Sequence, residues 1–312
     1  MEKLKLLREI LGKPFISNDE HLYYCPYCKH HKRKMSVNVE KGYYKCWVCD
    51  THGRSLRWVI KRFGSYAQLK EWDKLSGKED ILEFDKLFEE IKEEKAKNYL
   101  TLPKEFVTLT GTNKDLASIR VLNYLKNRGI TQEDIINWKI GYCLDGAFKD
   151  RVVVPSFDNE GYINYFVART FNGDWRKYLN PSASKDIIFN HLFIDWDKDI
   201  VLVEGIFDAV KAGTNAIPLL GSTLRANSLL FQEIIKNDAS VYVALDEDAG
   251  KKTVNIIHKL LSYGTEVHRI DTSEFEDVGS MTKEEFISRK ERAKFMNPDT
   301  FLMDHALDSI KI

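Results

Sequence analysis

Carboxylates follow two apolar runs of this 312-residue chain in a way that suits chemistry. Val201-Leu202-Val203 ends abruptly in Glu204-Gly205, and Val241-Tyr242-Val243-Ala244-Leu245 ends in Asp246-Glu247-Asp248. Runs of this kind predict buried parallel strands, and open α/β sheets place their reacting groups at the C-terminal ends of such strands. Carboxylates gathered there repel one another unless a cation joins them, and hard oxygen donors suit Mg²⁺ or Mn²⁺. The chemistry implied is metal-assisted phosphoryl transfer. A solvated strand end or a helix N-cap would use the same residues, but Glu204, Asp246 and Asp277 follow three different predicted strands, and a switch point brings such ends together.

A second set is made of sulfur. Cys25-Pro26-Tyr27-Cys28 and Cys46-Trp47-Val48-Cys49 are two Cys-x-x-Cys turns separated by 17 residues. Each turn points two thiolates at one centre, and four thiolates make the closed tetrahedral site of a structural Zn²⁺. A module this small and polar needs the metal in order to fold. Cys143 has no partner and reads as a small buried apolar residue. Between the pairs, alternation after Met35 predicts a hairpin turning near Lys41-Gly42. Its basic and aromatic side chains, with Arg33 and Lys34 just before it, suit single-stranded nucleic acid: cations for phosphates, rings for bases.

The elements that must hold these groups follow from pattern. Residues 1–70 carry the cysteine pairs. Residues 71–112 are charged, helical in pattern and without a strong core stripe, which reads as a helical linker. From 113 onward the chain is globular. A helix over 119–125 stops at Arg128-Gly129, and Thr131 to Asp134 caps another. Arg151 to Pro155 and Tyr162 to Arg169 read as strands around a turn at 158–161. Strands at 200–204, 216–220, 241–245 and 266–270 then alternate with helices at about 206–213, 225–237 and 249–262, which predicts a parallel sheet covered on both faces.

Net charge is zero, yet residues 1–70 hold 15 Lys and Arg against 6 Asp and Glu, and the rest holds 32 against 41. A +9 front end and a −9 body suggest a polyanion-binding module beside a metal-binding one. No apolar run approaches a membrane span and the N-terminus is not a signal peptide, so a soluble, cytoplasmic protein is expected.

With those residues in view, the chain resembles the bacterial-type DNA primases, and more closely their phage relatives, in which case the host cytoplasm is the expected location. The segment from Cys25 to Cys49 looks like the primase zinc ribbon. Residues 148–155 (F-K-D-R-V-V-V-P) resemble the basic motif of the primase core, and 175–181 (W-R-K-Y-L-N-P) resemble its Lys-Tyr-Leu-Asn segment. E-G-I-F-D at 204–208, L-G-S-T at 220–223 and D-E-D-A-G at 246–250 resemble the Toprim motifs, and all occur in family order. The resemblance implies an α/β chain in five parts. These are an N-terminal four-cysteine zinc ribbon (1–70), a helical linker (71–112), a basic α+β part of an RNA polymerase core (113–195), a Toprim parallel-sheet subdomain (196–290) and a tail (291–312).

It also implies roles. Asp246 and Asp248 would be magnesium ligands, supported by Asp277 and Asp208, and Glu204 either a ligand or a general base for the 3′-hydroxyl. Arg151, Arg169 and Lys177 would grip template or triphosphate. One structural zinc, catalytic Mg²⁺ or Mn²⁺, single-stranded DNA, ribonucleoside triphosphates and a replicative helicase are the expected cofactors and partners. The product would be short RNA primers. The chain departs from the family pattern in three places. Cys28 stands where most bacterial members have His, Gly279 follows Asp277-Val278 where a second Asp is usual, and His191 replaces a basic residue. Nor is room expected after 290 for the helicase-binding domain of the bacterial enzymes. The rival expectations are a Toprim nuclease and a non-catalytic zinc-dependent DNA-binding module.

Overall fold

The computed structural model describes residues 2–17, 20–76, 100–109, 116–221, 223–246, 249–298 and 300–301. Most of the expected linker, the tail beyond 301, Ser222, Glu247 and Asp248 lie outside them. The chain divides into two compact units.

The first unit comprises residues 1–97 with the short segments 235–238 and 259–265. Helix α1 (Glu2–Leu11) spaces its apolar residues by three and four and buries Leu6 and Leu7. Five antiparallel strands follow in sequential order: β1 (Phe15–Ser17), β2 (Glu20–Tyr23), β3 (Met35–Asn38), β4 (Tyr43–Cys46) and β5 (His52–Gly53). The hairpin between β3 and β4 turns where the alternation breaks. Gly42 takes φ +74°, and Asn38 accepts the Lys41 N–H on its side chain (2.8 Å) and the Gly42 N–H on its carbonyl (2.9 Å). Helices α2 (Arg57–Phe63) and α3 (Tyr66–Ser76) complete the unit. Its core joins Leu6, Leu7, Tyr23, Met35, Val37, Tyr44, Val59, Ile60 and Trp72 with the inner cysteines.

The second unit carries two sheets. One is antiparallel, β6 (Phe106–Thr108), β7 (Gly141–Cys143), β8 (Arg151–Phe157) and β9 (Ile163–Thr170), in sequential order. Helices α4 (Leu116–Asn127) and α5 (Gln132–Asn137) precede β7. Thr131 caps α5 as its sequence predicts: its hydroxyl accepts the Asp134 N–H (3.2 Å), and Asp134 accepts the Thr131 N–H (2.9 Å). Cys143 is fully buried on β7.

The other sheet has the order β11-β10-β12-β13-β14, built from β10 (Ile200–Val203), β11 (Ala216–Pro218), β12 (Val241–Ala244), β13 (Val267–Arg269) and β14 (Lys294–Phe295). The first four are parallel, and β14 adds an antiparallel edge that two residues of sequence could not signal. Helices α6 (Ile206–Ala212), α7 (Leu229–Asn237) and α8 (Gly250–Ser262) are the crossovers, and α9 (Lys283–Glu291) follows β13. One apolar core runs between the two sheets, from Val121, Leu125, Val152 and Val167 to Val201, Val203, Ile206, Val210 and Ala244. Each such side chain contributes roughly 1.5–3 kcal/mol when fully buried. That core fixes the ends of β10 and β12, where the acidic residues stand.

Candidate metal centres and nucleic-acid face

The four cysteine sulfurs lie within 4.8 Å of one another. Cys25 and Cys49 are 3.8 Å apart, as are Cys28 and Cys46. Tetrahedral zinc with bonds of about 2.3 Å puts its sulfurs about 3.8 Å apart, so the donor set fits Zn²⁺. Each Cys-x-x-Cys turn is followed by a residue in the left-handed region, Lys29 (φ 54°) and Asp50 (φ 54°), which curls the backbone around the sulfurs. Cys25 and Cys46 are buried against the unit's core, and Cys28 and Cys49 are exposed. The nearness of Cys25 and Cys46 pulls the Cys46 thiol down and pushes Cys25 up, and burial raises both. His30, His31 and Asp238 also approach one another, but Asp238 is taken by Lys32 at 2.8 Å and Lys34 at 3.2 Å.

That ion pair corrects one expectation. Lys34 is fully buried, with Asp238 beside its ammonium, and burial draws its pKa down. It offers nothing to a phosphate, because the residue lies just before the start of β3 and points into the unit. Tyr44 is likewise a core residue, 5% exposed, and Tyr43 donates its hydroxyl to Glu20. A partly exposed basic and aromatic pair lies elsewhere on the ribbon. The Arg33 guanidinium stacks 4.7 Å over the half-exposed Tyr24 ring, and a cavity of about 460 Å³ beside it is lined by Tyr24, Pro26, Lys29, His30 and His31.

In the second unit, β10 pairs with β12 in the register Val203↔Ala244. Both strands end at that pair: Glu204 is the first residue past β10, and Asp246 lies two residues past the end of β12. The chain therefore leaves the pleat before Asp246, and strand alternation no longer constrains which way the acidic segment points. Glu204 receives the ammonium of Lys252, from the first turn of α8. Asp246 Oδ1 is shielded from solvent. Asp248 is not among the described residues.

Asp208 sits in the first turn of α6 and is 7% exposed. One carboxylate oxygen accepts the Gly205 N–H and the other the Gly279 N–H, both at 2.8 Å. Burial raises its pKa, helped by the charges of Asp277 and Glu204 and opposed by the two N–H groups. Asp208 thus ties the start of α6 to the turn at Val278–Ser280 and holds Asp277 beside the cluster. Both glycines are required by that clamp: a Cβ on Gly205 or on Gly279 would stand 2.9 Å from an Asp208 oxygen. The glycine in place of a second Asp is therefore a packing partner of Asp208. Among the described residues, Glu204, Asp208, Asp246 and Asp277 gather at one sheet edge without bringing three oxygens within 4.8 Å of one another.

Arg151 is 2% exposed, donating to the Arg176 carbonyl at 2.9 Å, the Lys177 carbonyl at 3.4 Å and Asp174 at 2.9 Å. It braces the loop that follows β9 and is not free to grip a template, since its guanidinium is spent on that loop. Lys177 is exposed on the same loop, beside Trp175, 86% exposed, whose ring lies under Arg176 at 5.3 Å. Arg169 donates to the Tyr178 hydroxyl and stacks over the Tyr178 and Phe207 rings at 5.0 and 5.4 Å. Arg128, which sequence reasoning passed over, stacks on Phe207 from α4's end at 5.2 Å. Its only sequence signal was a basic residue before the helix-stopping Gly129. Lys252 was also missed, although two lysines directly after the acidic segment and Gly250 were a signal.

The fold has solved counterparts. The catalytic domain of DnaG primase bound to single-stranded DNA superposes with a TM-score of 0.52 at 20% identity, covering 63% of this chain and 78% of that one. The RNA polymerase domain of Mycobacterium tuberculosis primase DnaG, solved with a double-stranded DNA oligomer carrying a 6-nucleotide overhang, gives 0.51 at 16% identity, covering 65% and 81%. The chain thus has the fold of the bacterial-type primase catalytic domain.

Sequence comparison points the same way. The chain is similar to the DNA primase of Helicobacter pylori, 25% identical over an alignment of 279 positions that covers 74% of this chain and 48% of that protein. It is also similar to the DNA primase of Campylobacter jejuni, 24% identical over an alignment of 327 positions, gaps included, that covers 88% of this chain and 51% of the relative. The chain spans about half the length of the curated relatives it matches. Both organisms are bacteria, and a closer likeness to phage primases does not follow from them. No protein-family model matches the chain. Among the described residues, no helix is long and apolar enough to cross a membrane.

Proposed function

We propose that this chain is a zinc-ribbon DNA primase that makes short RNA primers on single-stranded DNA. The observation that carries the reading is Glu204 and Asp246 following neighbouring parallel strands, with Asp208 and Asp277 drawn to the same edge, on the fold of a primase catalytic domain. The reaction joins two nucleotides: a 3′-hydroxyl attacks the α-phosphate of an incoming ribonucleoside triphosphate and pyrophosphate leaves. Two triphosphates concentrate negative charge, and cations must offset it.

The donor set fits Mg²⁺ or Mn²⁺, because it is all hard oxygen and Glu204 already attracts a cation, the Lys252 ammonium. Glu204, Asp246, Asp248 and Asp277 would hold the metal, which supplies positive charge to the triphosphates. Asp208 positions Asp277 and Glu204 through its two backbone hydrogen bonds. Cys25, Cys28, Cys46 and Cys49 would hold one structural zinc. Tyr24 and Arg33 on the ribbon, and Arg169, Trp175, Arg176 and Lys177 on the catalytic unit, offer the stacking rings and cations that single strands take. A replicative helicase is the partner, since priming must follow unwinding, and the cytoplasm is the place of action.

Incubation with single-stranded DNA, labelled ribonucleoside triphosphates and Mg²⁺ tests the reading, with Glu204→Gln and Asp246→Ala alongside. Short labelled oligoribonucleotides are expected from the wild-type chain, falling by about 100-fold or more in Glu204→Gln, the scale on which losing charge stabilisation in a transition state acts. Nicking of the DNA would favour a nuclease. Unchanged product from Glu204→Gln would remove the acidic strand ends from the chemistry.

A further inference from the structure

The ammonium of Lys252 sits on Oε1 of Glu204, the carboxylate that the metal reading needs. The two side chains are 22% and 27% exposed, so water screens the pair only in part. Lys252 reaches Glu204 from the first turn of α8, and Glu204 follows β10, so the bond ties two elements 48 residues apart across the acidic edge. The edge around it is negative: the pKa of Asp208 is raised by burial and further by the charges of Asp277 and Glu204, and Asp246 follows the next strand. A lysine there offsets carboxylate repulsion in the same way a divalent cation would, and the two cannot share one oxygen at full strength.

We infer that Lys252 is a built-in counter-cation of Glu204, which competes with the divalent metal for that carboxylate and must be displaced when the metal enters. It is a positioning residue: it holds the acidic edge together without metal and weakens metal binding by the strength of its own bond. The inference rests on the reading of Glu204 as a metal ligand. Its consequence is a centre that stays folded and poorly metallated until the cation supply, or the charge of a triphosphate carrying its own cation, outweighs the lysine. Arginine can make the same ion pair, and methionine keeps most of the length of the side chain without the charge.

The test is Mn²⁺ binding to the full, zinc-loaded chain without nucleotide, read from free Mn²⁺ by electron paramagnetic resonance, with thermal unfolding measured in parallel. Lys252→Met is expected to bind Mn²⁺ about three- to tenfold more tightly than wild type, the range that removing one partly screened charge gives. Its thermal midpoint without Mn²⁺ should fall, and the rise produced by saturating Mn²⁺ should grow, because the metal then supplies the missing charge. Lys252→Arg should restore the wild-type values of both. Equal or weaker Mn²⁺ binding by Lys252→Met would overturn the inference. Glu204→Gln separates the two levels. If it weakens Mn²⁺ binding while Lys252→Met changes nothing, Glu204 is a ligand and the lysine is not its competitor. If both variants bind as wild type does, the metal reading of Glu204 falls and takes the inference with it.

Discussion

Asp208 is the residue whose role changed most between sequence and structure. As the last letter of E-G-I-F-D it reads as one more metal ligand, yet its two oxygens each accept a backbone N–H. Gly279 is its counterpart, and the chain's departure from the family pattern at that position follows from space: the N–H donates to Asp208 and a Cβ would crowd the same carboxylate. Gly279→Ala should therefore cost about 1–3 kcal/mol, the scale of a strained or lost hydrogen bond to a buried charged group. Combined with Asp208→Ala, which removes the clash, the two losses should sum to less than their separate values in chemical denaturation. Additive losses would show that the two residues do not act through each other. No amount of sequence pattern could assign this pair, since 71 residues separate them and only the return of β13 beside β12 brings them together.

At the scale of the element, the zinc ribbon shows how a spacing becomes a fold. The strands of its sheet are two to four residues long, and such strands are marginal alone. Cys25 and Cys46 are at once sulfur donors and members of the core with Tyr23, Met35 and Tyr44. Removing the metal leaves buried thiols at the centre of that core. Treatment with a zinc chelator, or Cys46→Ser, is expected to unfold the first unit and leave the second folded. The check is amide hydrogen exchange: protection should vanish over residues 20–60 and persist in β10 and β12. The ribbon's usable surface is also decided by its strands. Lys34 and Tyr44 are drawn into the core and an ion pair, while Tyr24 stays half-exposed with the partly buried Arg33 stacked on it. A basic stretch marks a module as polyanion-binding, but which of its lysines faces water is settled by register.

Across the whole molecule, charge is divided, with +9 in residues 1–70 and −9 in the remainder. The basic part can attract a nucleic-acid backbone while the acidic part concentrates cations. Binding to unstructured single-stranded DNA should accordingly weaken as salt rises, with a slope of about −0.7 per phosphate contacted. Filter binding or fluorescence anisotropy over a salt series checks this. Arg33→Ala should make that slope shallower, because a cation is lost. Tyr24→Ala should weaken binding by about 1–3 kcal/mol while keeping the slope, because a stacking platform is lost and no charge is. Identical behaviour of both variants and the wild type would place the strand on another face.

The sequence by itself determined the cysteine centre, the alternation of strands and helices between residues 200 and 270, and the two strand ends followed by Glu204 and Asp246. These rest on local information: a turn of two residues between thiols, apolar runs, and the carboxylate that follows each run. Only the tertiary structure decided which charged residues are spent on the fold. Arg151 braces a loop through carbonyls of residues 176 and 177, Lys34 is buried against Asp238, and Lys252 meets Glu204 from a helix begun 46 residues later. A basic residue reads alike in sequence whether it faces a phosphate or a carboxylate of its own chain. The partner is chosen when distant elements pack, and no local pattern carries that choice.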